Sequence, residues 1–242
     1  MTTTASGGFD VTATASGGLA GRSVRWAVVG GIGVALAALT MAFSRGATSA
    51  LPYFRDAERT PEWLSERDAQ SVLTVAPFAL VDQEERAVTE AALRDRITII
   101  HFFFARCGDV CPTTTSNIQR VVSEIGPMSE LQILSHSVTP ARDSVRELRA
   151  FAAMHRIREP RWRLLTGDTA TIYRLARESY FVRIGDGTTF GKKTIAHTES
   201  VSLVDGNGRV RGIYAGTVAL EMQRLREDIL ALAREAKGPS AP

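Results

Sequence analysis

One stretch of the chain, residues 97–112, constrains fold and chemistry more than any other. It begins with a near-continuous apolar run, residues 97–104, which is typical of a central strand covered on both faces. A short loop then carries Cys107 and Cys111, the only two cysteines in the protein. Residues 113–125 follow with apolar side chains at helical spacing, which predicts a helix. A strand that delivers two thiols to the start of a helix is typical of a thioredoxin-like redox or metal site.

The rest of the chain alternates strand and helix patterns. Residues 77–82 suggest an edge strand, because a proline at its first position needs no ladder hydrogen bond. Residues 200–204 and 210–215 indicate two strands joined by a Gly-Asn-Gly turn, and residues 220–236 an amphipathic closing helix. The order β-α-β-α-β-α-β-β-α predicts an α/β, thioredoxin-like fold, a mixed sheet sandwiched by helices. The closing hairpin and helix are the most specific indication of that fold.

An uncharged run at residues 26–43 predicts an N-terminal transmembrane helix. Eighteen helical residues span roughly 27 Å, about the hydrocarbon thickness of a bilayer. Arg22 and Arg25 precede the run, which favours an inside N-terminus and an exported C-terminal domain. A cleaved signal peptide is the alternative, with a small-residue site at 48–50, although the run exceeds the ~7–15 residues of a signal core.

Composition completes the division of the chain. The first residues are almost entirely Thr, Ala, Ser and Gly and cannot build a core. We therefore predict a disordered tail (1–25), a transmembrane anchor (26–44), a linker (45–74), a thioredoxin-like domain (75–237) and a short tail (238–242). The formal net charge is +3, with basic and acidic residues interspersed, so no nucleic-acid partner is indicated.

The two cysteines suit metal binding as well as redox chemistry. Residues four apart share a helical face, and the positive end of a helix is expected to lower a thiol pKa. Two thiolates can therefore hold one ion or join as a disulfide. Thiolates select soft metals such as Cu(I), with zinc as a competitor, but a closed zinc site needs four ligands. A third ligand is required in either case.

Four histidines are available for that position. His101 and His136 fall within predicted strands and His155 late in a predicted helix, where structural roles are common. His197 precedes the strand at 200–204, and in a thioredoxin-like fold the loop at that point faces the cysteines. Histidine is a common ligand and also a common surface residue, so position alone makes His197 a candidate and no more.

Together these motifs resemble the Sco/SenC family of membrane-anchored, thioredoxin-like copper proteins. The motifs that carry the resemblance are CGDVCP at 107–112, SHSVTPARD at 135–143, AHTE at 196–199 with LVD at 203–205, and LPYF at 51–54. One departure is Gly108, where the family often has proline. It predicts a more flexible loop and leaves the ligands unchanged.

The resemblance implies that Cys107, Cys111 and His197 bind copper, as Cu(I) or Cu(II). It implies a metallochaperone that delivers copper to, or reduces the cysteines of, the dinuclear copper site of cytochrome c oxidase. The implied partners are the copper-bearing oxidase subunit and an upstream copper donor or thiol reductant. The implied location is the bacterial cell membrane, with a single span and a periplasmic C-terminal domain.

Two other functions remain open from the sequence. In a thiol–disulfide oxidoreductase, Cys107 would attack and Cys111 would resolve. The cysteine spacing is longer than in an ordinary thioredoxin, and no proline occurs between Pro160 and Pro239 to face the thiols. In a copper or redox sensor, binding would change a contact with a partner. Neither function is separated from copper delivery by the residues alone.

Overall fold

The computed structural model describes most of the C-terminal domain. The described residues are 51–54, 61–62, 72, 74–108, 110–180, 188–189, 192–193 and 199–237, with the backbone alone at 61–62, 188–189 and 192–193. The predicted tails 1–25 and 238–242, the predicted anchor 26–44, most of the predicted linker and His197 lie outside them. Among the helices that are described, none combines the length and the apolar character needed to cross a membrane.

A seven-stranded mixed sheet forms the centre of the domain, in the spatial order β11-β10-β5-β6-β7-β3-β4. Strands β5, β6 and β7 are parallel, and the other neighbours pair antiparallel. Two short pairs, β1–β2 and β8–β9, lie outside this sheet. The strands are β1 (Tyr53–Phe54), β2 (Pro61–Glu62), β3 (Ala79–Asp82), β4 (Ala87–Thr89), β5 (Ile97–Phe103), β6 (Leu131–Ser137), β7 (Trp162–Thr166), β8 (Thr188–Thr189), β9 (Lys192–Lys193), β10 (Ser200–Val204) and β11 (Val210–Ala215).

Helices cover both faces of the sheet. They are α1 (Val110–Ile125), α2 (Val145–Met154), α3 (Thr169–Arg174), which continues as the π-helical turn Leu175–Ser179, and α4 (Ala219–Ala236), with a 3-10 turn at Glu90–Leu93. Apolar residues of α1, α2 and α4 form one hydrophobic cluster with the sheet. Residues of α3 and its π-helical turn form a second cluster on the opposite face. The predicted mixed sheet sandwiched by helices is confirmed.

Strand β5 is central because each of its seven residues is buried. Ile97, Ile99 and Phe103 point into the cluster of α1, α2 and α4, and Ile100 and Phe102 into the other. The strand pairs with β6 on one side and β10 on the other, which leaves no free edge. Its carboxyl end therefore delivers the cysteine loop from the most constrained element of the fold.

The predicted edge strand at residues 77–82 is wrong in position. The strand begins at Ala79 and lies between β7 and β4. Its outer neighbour follows a tight charged turn in which the buried Asp82 carboxylate accepts backbone hydrogen bonds from Glu84 (2.8 Å) and Arg86 (3.0 Å). Because this turn is polar and β4 is only three residues long, the sequence pattern does not reveal the hairpin.

A buried arginine fixes the start of the described chain to the domain. The Arg211 guanidinium donates to the backbone carbonyls of Leu51 (2.7 Å) and Pro52 (3.1 Å). It also pairs with Asp205 (3.2 Å) and Glu235 (3.1 Å), with only 3% of its own side chain exposed. The first described segment is thereby held against β11 and the end of α4.

Candidate metal centre

The two cysteines lie together where β5 gives way to α1. The backbone N–H of Cys107 donates to the Phe104 carbonyl (3.1 Å), which closes a turn directly after the strand. Helix α1 begins at Val110, so Cys111 falls in its first turn, as predicted. Its backbone N–H donates to the Cys107 sulfur at 3.3 Å. Both thiols are free and nearly buried, with exposed fractions of 7% and 5%.

Burial controls the acidity of the second thiol. The pKa of Cys111 is raised to about 12, chiefly by burial and also by the hydrogen bond with Cys107, while a backbone hydrogen bond from Phe104 opposes the rise. The sequence-based expectation that the helix N-terminus favours the thiolate is therefore wrong for Cys111, because burial outweighs the helix. A metal ion binding this sulfur at neutral pH must displace its proton.

Asp143 ties the cysteine loop to the neighbouring strand. Its buried carboxylate oxygen Oδ2 accepts three hydrogen bonds, from the Ala105 backbone N–H (3.0 Å), the Ser137 hydroxyl (2.6 Å) and the Thr139 hydroxyl (2.9 Å). Ala105 lies two residues before Cys107, whereas the two hydroxyls belong to the end of β6 and the turn after it. The sequence offers Asp143 or Ser144 as the cap of the following helix, and Ser144 occupies that position.

A second set of contacts holds the chain near residue 199 against α1. The Gly216 backbone N–H donates to the Glu199 carbonyl (2.7 Å), and the Asn117 side chain donates to the Gly216 carbonyl (2.8 Å). A Cβ atom on Gly216 would lie 2.6 Å from Thr114 Cγ2 and 2.8 Å from the Glu199 oxygen. Gly216 therefore joins the chain at Glu199 to Thr114, which lies three residues after Cys111 in α1. His197 lies two residues earlier in the chain, outside the described residues.

The remaining histidines take structural positions. His101 Nδ1 lies 2.9 Å from the Ser135 hydroxyl, which also accepts from the Trp162 indole (2.8 Å). His136 is buried among aromatic rings, and burial lowers the pKa of His101 to about 3 and that of His136 to about 4. His155 packs on a phenylalanine ring of the same helix. Within the described residues, no three Cys, His, Asp or Glu side chains gather as a metal site.

Comparison with known proteins gives a consistent result. A sequence model of the SCO1/SenC family matches residues 66–234. The SCO1 protein homolog of Bacillus subtilis is 26% identical over 144 residues, which covers 59% of this chain and 74% of that protein.

Solved structures extend the likeness to the fold. BsSco, a member of the Sco family of cytochrome c oxidase assembly proteins with a disulfide switch, matches with a TM-score of 0.57 and 25% identity over 66% of this chain and 93% of its own. Copper-bound ScoI of Bradyrhizobium japonicum matches with a TM-score of 0.55 and 28% identity over 66% and 99%. The thioredoxin-like arrangement predicted from the order of elements is thereby confirmed.

Proposed function

The chain belongs to the SCO1/SenC family, whose sequence model matches residues 66–234, and from this membership we propose that it binds copper and takes part in cytochrome c oxidase assembly. The observation that carries the proposal is the pair of free, nearly buried sulfurs of Cys107 and Cys111 at the start of α1. The Cys107 sulfur lies in the loop just before α1 and accepts the Cys111 backbone N–H, so the two thiolates together form a soft site that suits Cu(I).

His197 is the proposed third ligand. Two facts support it: Gly216 lies between the Glu199 carbonyl and the Thr114 side chain, and Thr114 follows Cys111 by three residues, less than one helical turn of about 5.4 Å. Two extended residues span at most about 7 Å, so His197 must lie near Glu199. This keeps the imidazole in the part of the fold that faces the start of α1, where it can serve as a ligand. A neutral imidazole is a common copper ligand and would complete an open, three-coordinate site.

Copper is the cargo of this site, and the protein residues determine how it is held and released. The Cys111 thiol gives up its proton on binding, because the thiolate is the ligand form. Asp143 holds the loop that precedes Cys107, so the two sulfurs remain side by side. A site with three protein ligands leaves room for an incoming thiolate, and copper can pass to a partner by ligand exchange. A two-electron oxidant that joins the two sulfurs as a disulfide removes both thiolates and releases the ion.

The proposed setting is the membrane, with the copper domain outside the cytoplasm. The apolar run at 26–43 and the arginines before it support a single-span anchor with an exported C-terminal domain. The proposed recipient is the copper-bearing subunit of cytochrome c oxidase, and an upstream copper donor or thiol reductant would load or reset the site.

Metal analysis of the reduced full-length protein in a neutral detergent tests the proposal. We expect one copper per chain in the wild type and affinity lower by about 100-fold or more in Cys107→Ser, Cys111→Ser and His197→Ala, since each removes one of three ligands. His155→Ala is the matched control and should bind as the wild type does. Undiminished copper binding by His197→Ala would remove the proposed ligand set.

A thiol reductant is the second candidate, favoured by one contact. The Cys111 backbone N–H already donates to the Cys107 sulfur, so the two thiols lie close enough to exchange with a substrate disulfide. Reduction of a disulfide peptide at rates unaffected by His197→Ala would favour this role. Oxidase activity in a deletion strain separates the two, because added copper should rescue the loss of a copper donor and leave the loss of a reductant unrepaired.

A further inference from the structure

Five arginines from separate parts of the chain line one surface cavity of about 570 Å³. They are Arg86, Arg94, Arg96, Arg161 and Arg163. In the sequence these residues stand among acidic neighbours, so the local composition does not suggest a basic patch. The described residues that line this cavity include no Asp or Glu. The fold thus concentrates positive charge that the sequence disperses.

This cavity is separate from the candidate metal centre. Arg96 directly precedes β5, and Arg161 and Arg163 flank the first residue of β7, so the cavity lies at the amino end of the parallel strands. The cysteine loop follows the carboxyl end of β5. Seven extended residues span about 23 Å, which places the two features at opposite ends of the sheet.

A hydrogen bond to a buried glutamine holds the guanidinium of Arg163 in place. It donates to the Gln132 side-chain oxygen at 2.8 Å. Gln132 is 5% exposed, and its amide nitrogen donates to the Ala92 carbonyl (2.5 Å) and the Thr98 hydroxyl (3.0 Å). Burial lowers the pKa of Arg163, Asp82 opposes that effect, and the charges of Arg86 and Arg96 reinforce it. The charged groups are therefore close enough to repel one another.

Among the residues that the structure describes, two of the five arginines have a carboxylate partner. Arg86 pairs with Asp82 (2.9 Å) and Arg161 with Glu159 (2.6 Å). Among the described residues, no ion pair reaches the other three, Arg94, Arg96 and Arg163; Arg96 donates to a backbone carbonyl at Ser129. The guanidinium groups of Arg94, Arg96 and Arg163 therefore share one concavity with no described carboxylate in direct contact, and Asp82 and Glu130 act on Arg163 and Arg96 only from a distance.

We propose that this cavity binds a phosphate-bearing anion through the guanidinium groups of Arg94, Arg96 and Arg163. Guanidinium forks match phosphate oxygens in pairs, and bidentate contacts of this kind are among the strongest hydrogen bonds in proteins. A carboxylate carries one charge and two acceptor oxygens in a plane. A phosphate can carry two charges and presents acceptors in several directions, which suits three guanidinium groups that line one cavity. The source is a soluble phosphate compound or, given the predicted anchor at 26–44, a lipid headgroup.

The test measures thermal stability of the reduced full-length protein in neutral detergent micelles at constant ionic strength. The probes are inorganic pyrophosphate in one arm and micelles containing phosphatidylglycerol in the other, with chloride and phosphatidylcholine as their references. We expect a saturable rise in Tm for the wild type, and an apparent Kd weaker by about tenfold or more in Arg94→Gln/Arg163→Gln, since two charge-assisted contacts are removed. The arm that responds identifies the source.

A control variant distinguishes binding at the cavity from attraction by the net charge of the protein. Arg146→Gln/Arg224→Gln removes the same charge from two exposed arginines outside the cavity and should respond as the wild type does. Arg94→Gln alone covers the case in which loss of Arg163 prevents folding, because Arg94 is exposed. The proposal is overturned if neither probe stabilises the wild type, or if the cavity and control variants respond equally.

Discussion

The carboxylate of Asp143 connects two segments on which the candidate metal centre depends. One oxygen accepts the Ala105 backbone N–H, from the loop that leads to Cys107, and the hydroxyls of Ser137 and Thr139 at the end of β6. Charge-assisted hydrogen bonds are stronger than neutral ones, and all three donors are buried or half-buried. Removing this side chain should therefore affect both stability and the position of the thiols.

Asp143→Ala should lower the free energy of unfolding by about 2–4 kcal/mol, because it leaves three donors without an acceptor. Copper affinity should fall by about tenfold or more as the loop before Cys107 loosens. Urea unfolding and competitive copper titration measure the two effects. Asp168→Ala is the control: it removes an exposed helix cap, should cost about 1 kcal/mol, and should leave copper affinity unchanged. Wild-type affinity in a destabilised Asp143→Ala would contradict the positioning role.

Single residues differ in how far the sequence reveals them. Cys107 and Cys111 could be identified because their spacing and their place before a helix are local features. The role of Asp143 could not, because Ala105 lies 38 residues earlier and meets it only through the parallel pairing of β5 and β6. The raised pKa of Cys111 was likewise hidden, since it depends on how deeply the packed helix buries the sulfur.

At the scale of elements, the closing hairpin carries the chain near Glu199 to α1. Gly216 follows β11 and fits between Thr114, Val201 and the Glu199 carbonyl, each of which a Cβ atom would meet at 2.9 Å or less. Glycine at this point allows the hairpin and the helix to approach closely. The contact matters for the site because the proposed ligand His197 lies just before Glu199.

Gly216→Ala should push the chain at Glu199 away from α1 and cost about 1–3 kcal/mol of stability, as overpacking does. Copper affinity should fall with it, and equilibrium unfolding with copper titration measures both. Gly108→Ala is the matched control in the cysteine loop, where a Cβ atom meets nothing within 4 Å. Equal copper affinities in the two variants would show that the Gly216 contact does not position the third ligand.

Elements with strong local patterns were predictable, and their neighbours were not. The apolar run of β5 and the Gly-Asn-Gly turn between β10 and β11 predicted a central strand and a hairpin, and both are confirmed. The place of β3 was missed because strand order is set by long-range pairing with β7 and by a partner of three residues. The pairing of β3 with β7 and β4 also brings Arg86 to the other arginines of the cavity, so the sequence does not reveal that cluster.

At the scale of the whole molecule, two buried histidines on β5 and β6 make stability sensitive to acid. Burial lowers the pKa of His101 to about 3 and of His136 to about 4, from an ordinary value of 6.5. Below about pH 6.5 the unfolded chain therefore binds protons that the folded protein does not. Stability is highest above that pH and is lost as the pH falls towards the lowered values.

Between pH 6 and 4 the two histidines together should lower the free energy of unfolding by up to about 2.7 kcal/mol per pH unit, at about 1.4 for each. His136→Leu should remove about half of that slope, because one titrating group is gone. Urea unfolding at a series of pH values, compared with the wild type at pH 7.5, measures it. Parallel pH dependences for wild type and variant would show that the pKa of His136 is the same in the folded and unfolded states, and would contradict the prediction.

The attachment of Leu51 and Pro52 to Arg211 also has a mechanical consequence. Arg211 lies at the start of β11, which aligns through β10 with the first residues of β5, and it is braced by Glu235 near the end of α4. Tension applied to the chain before Leu51 would be carried by Arg211 and its carboxylate partners and by the β10–β11 hairpin. The thiol loop follows the opposite end of β5 and lies outside that load path, so tension on the chain before Leu51 would not strain the sulfurs.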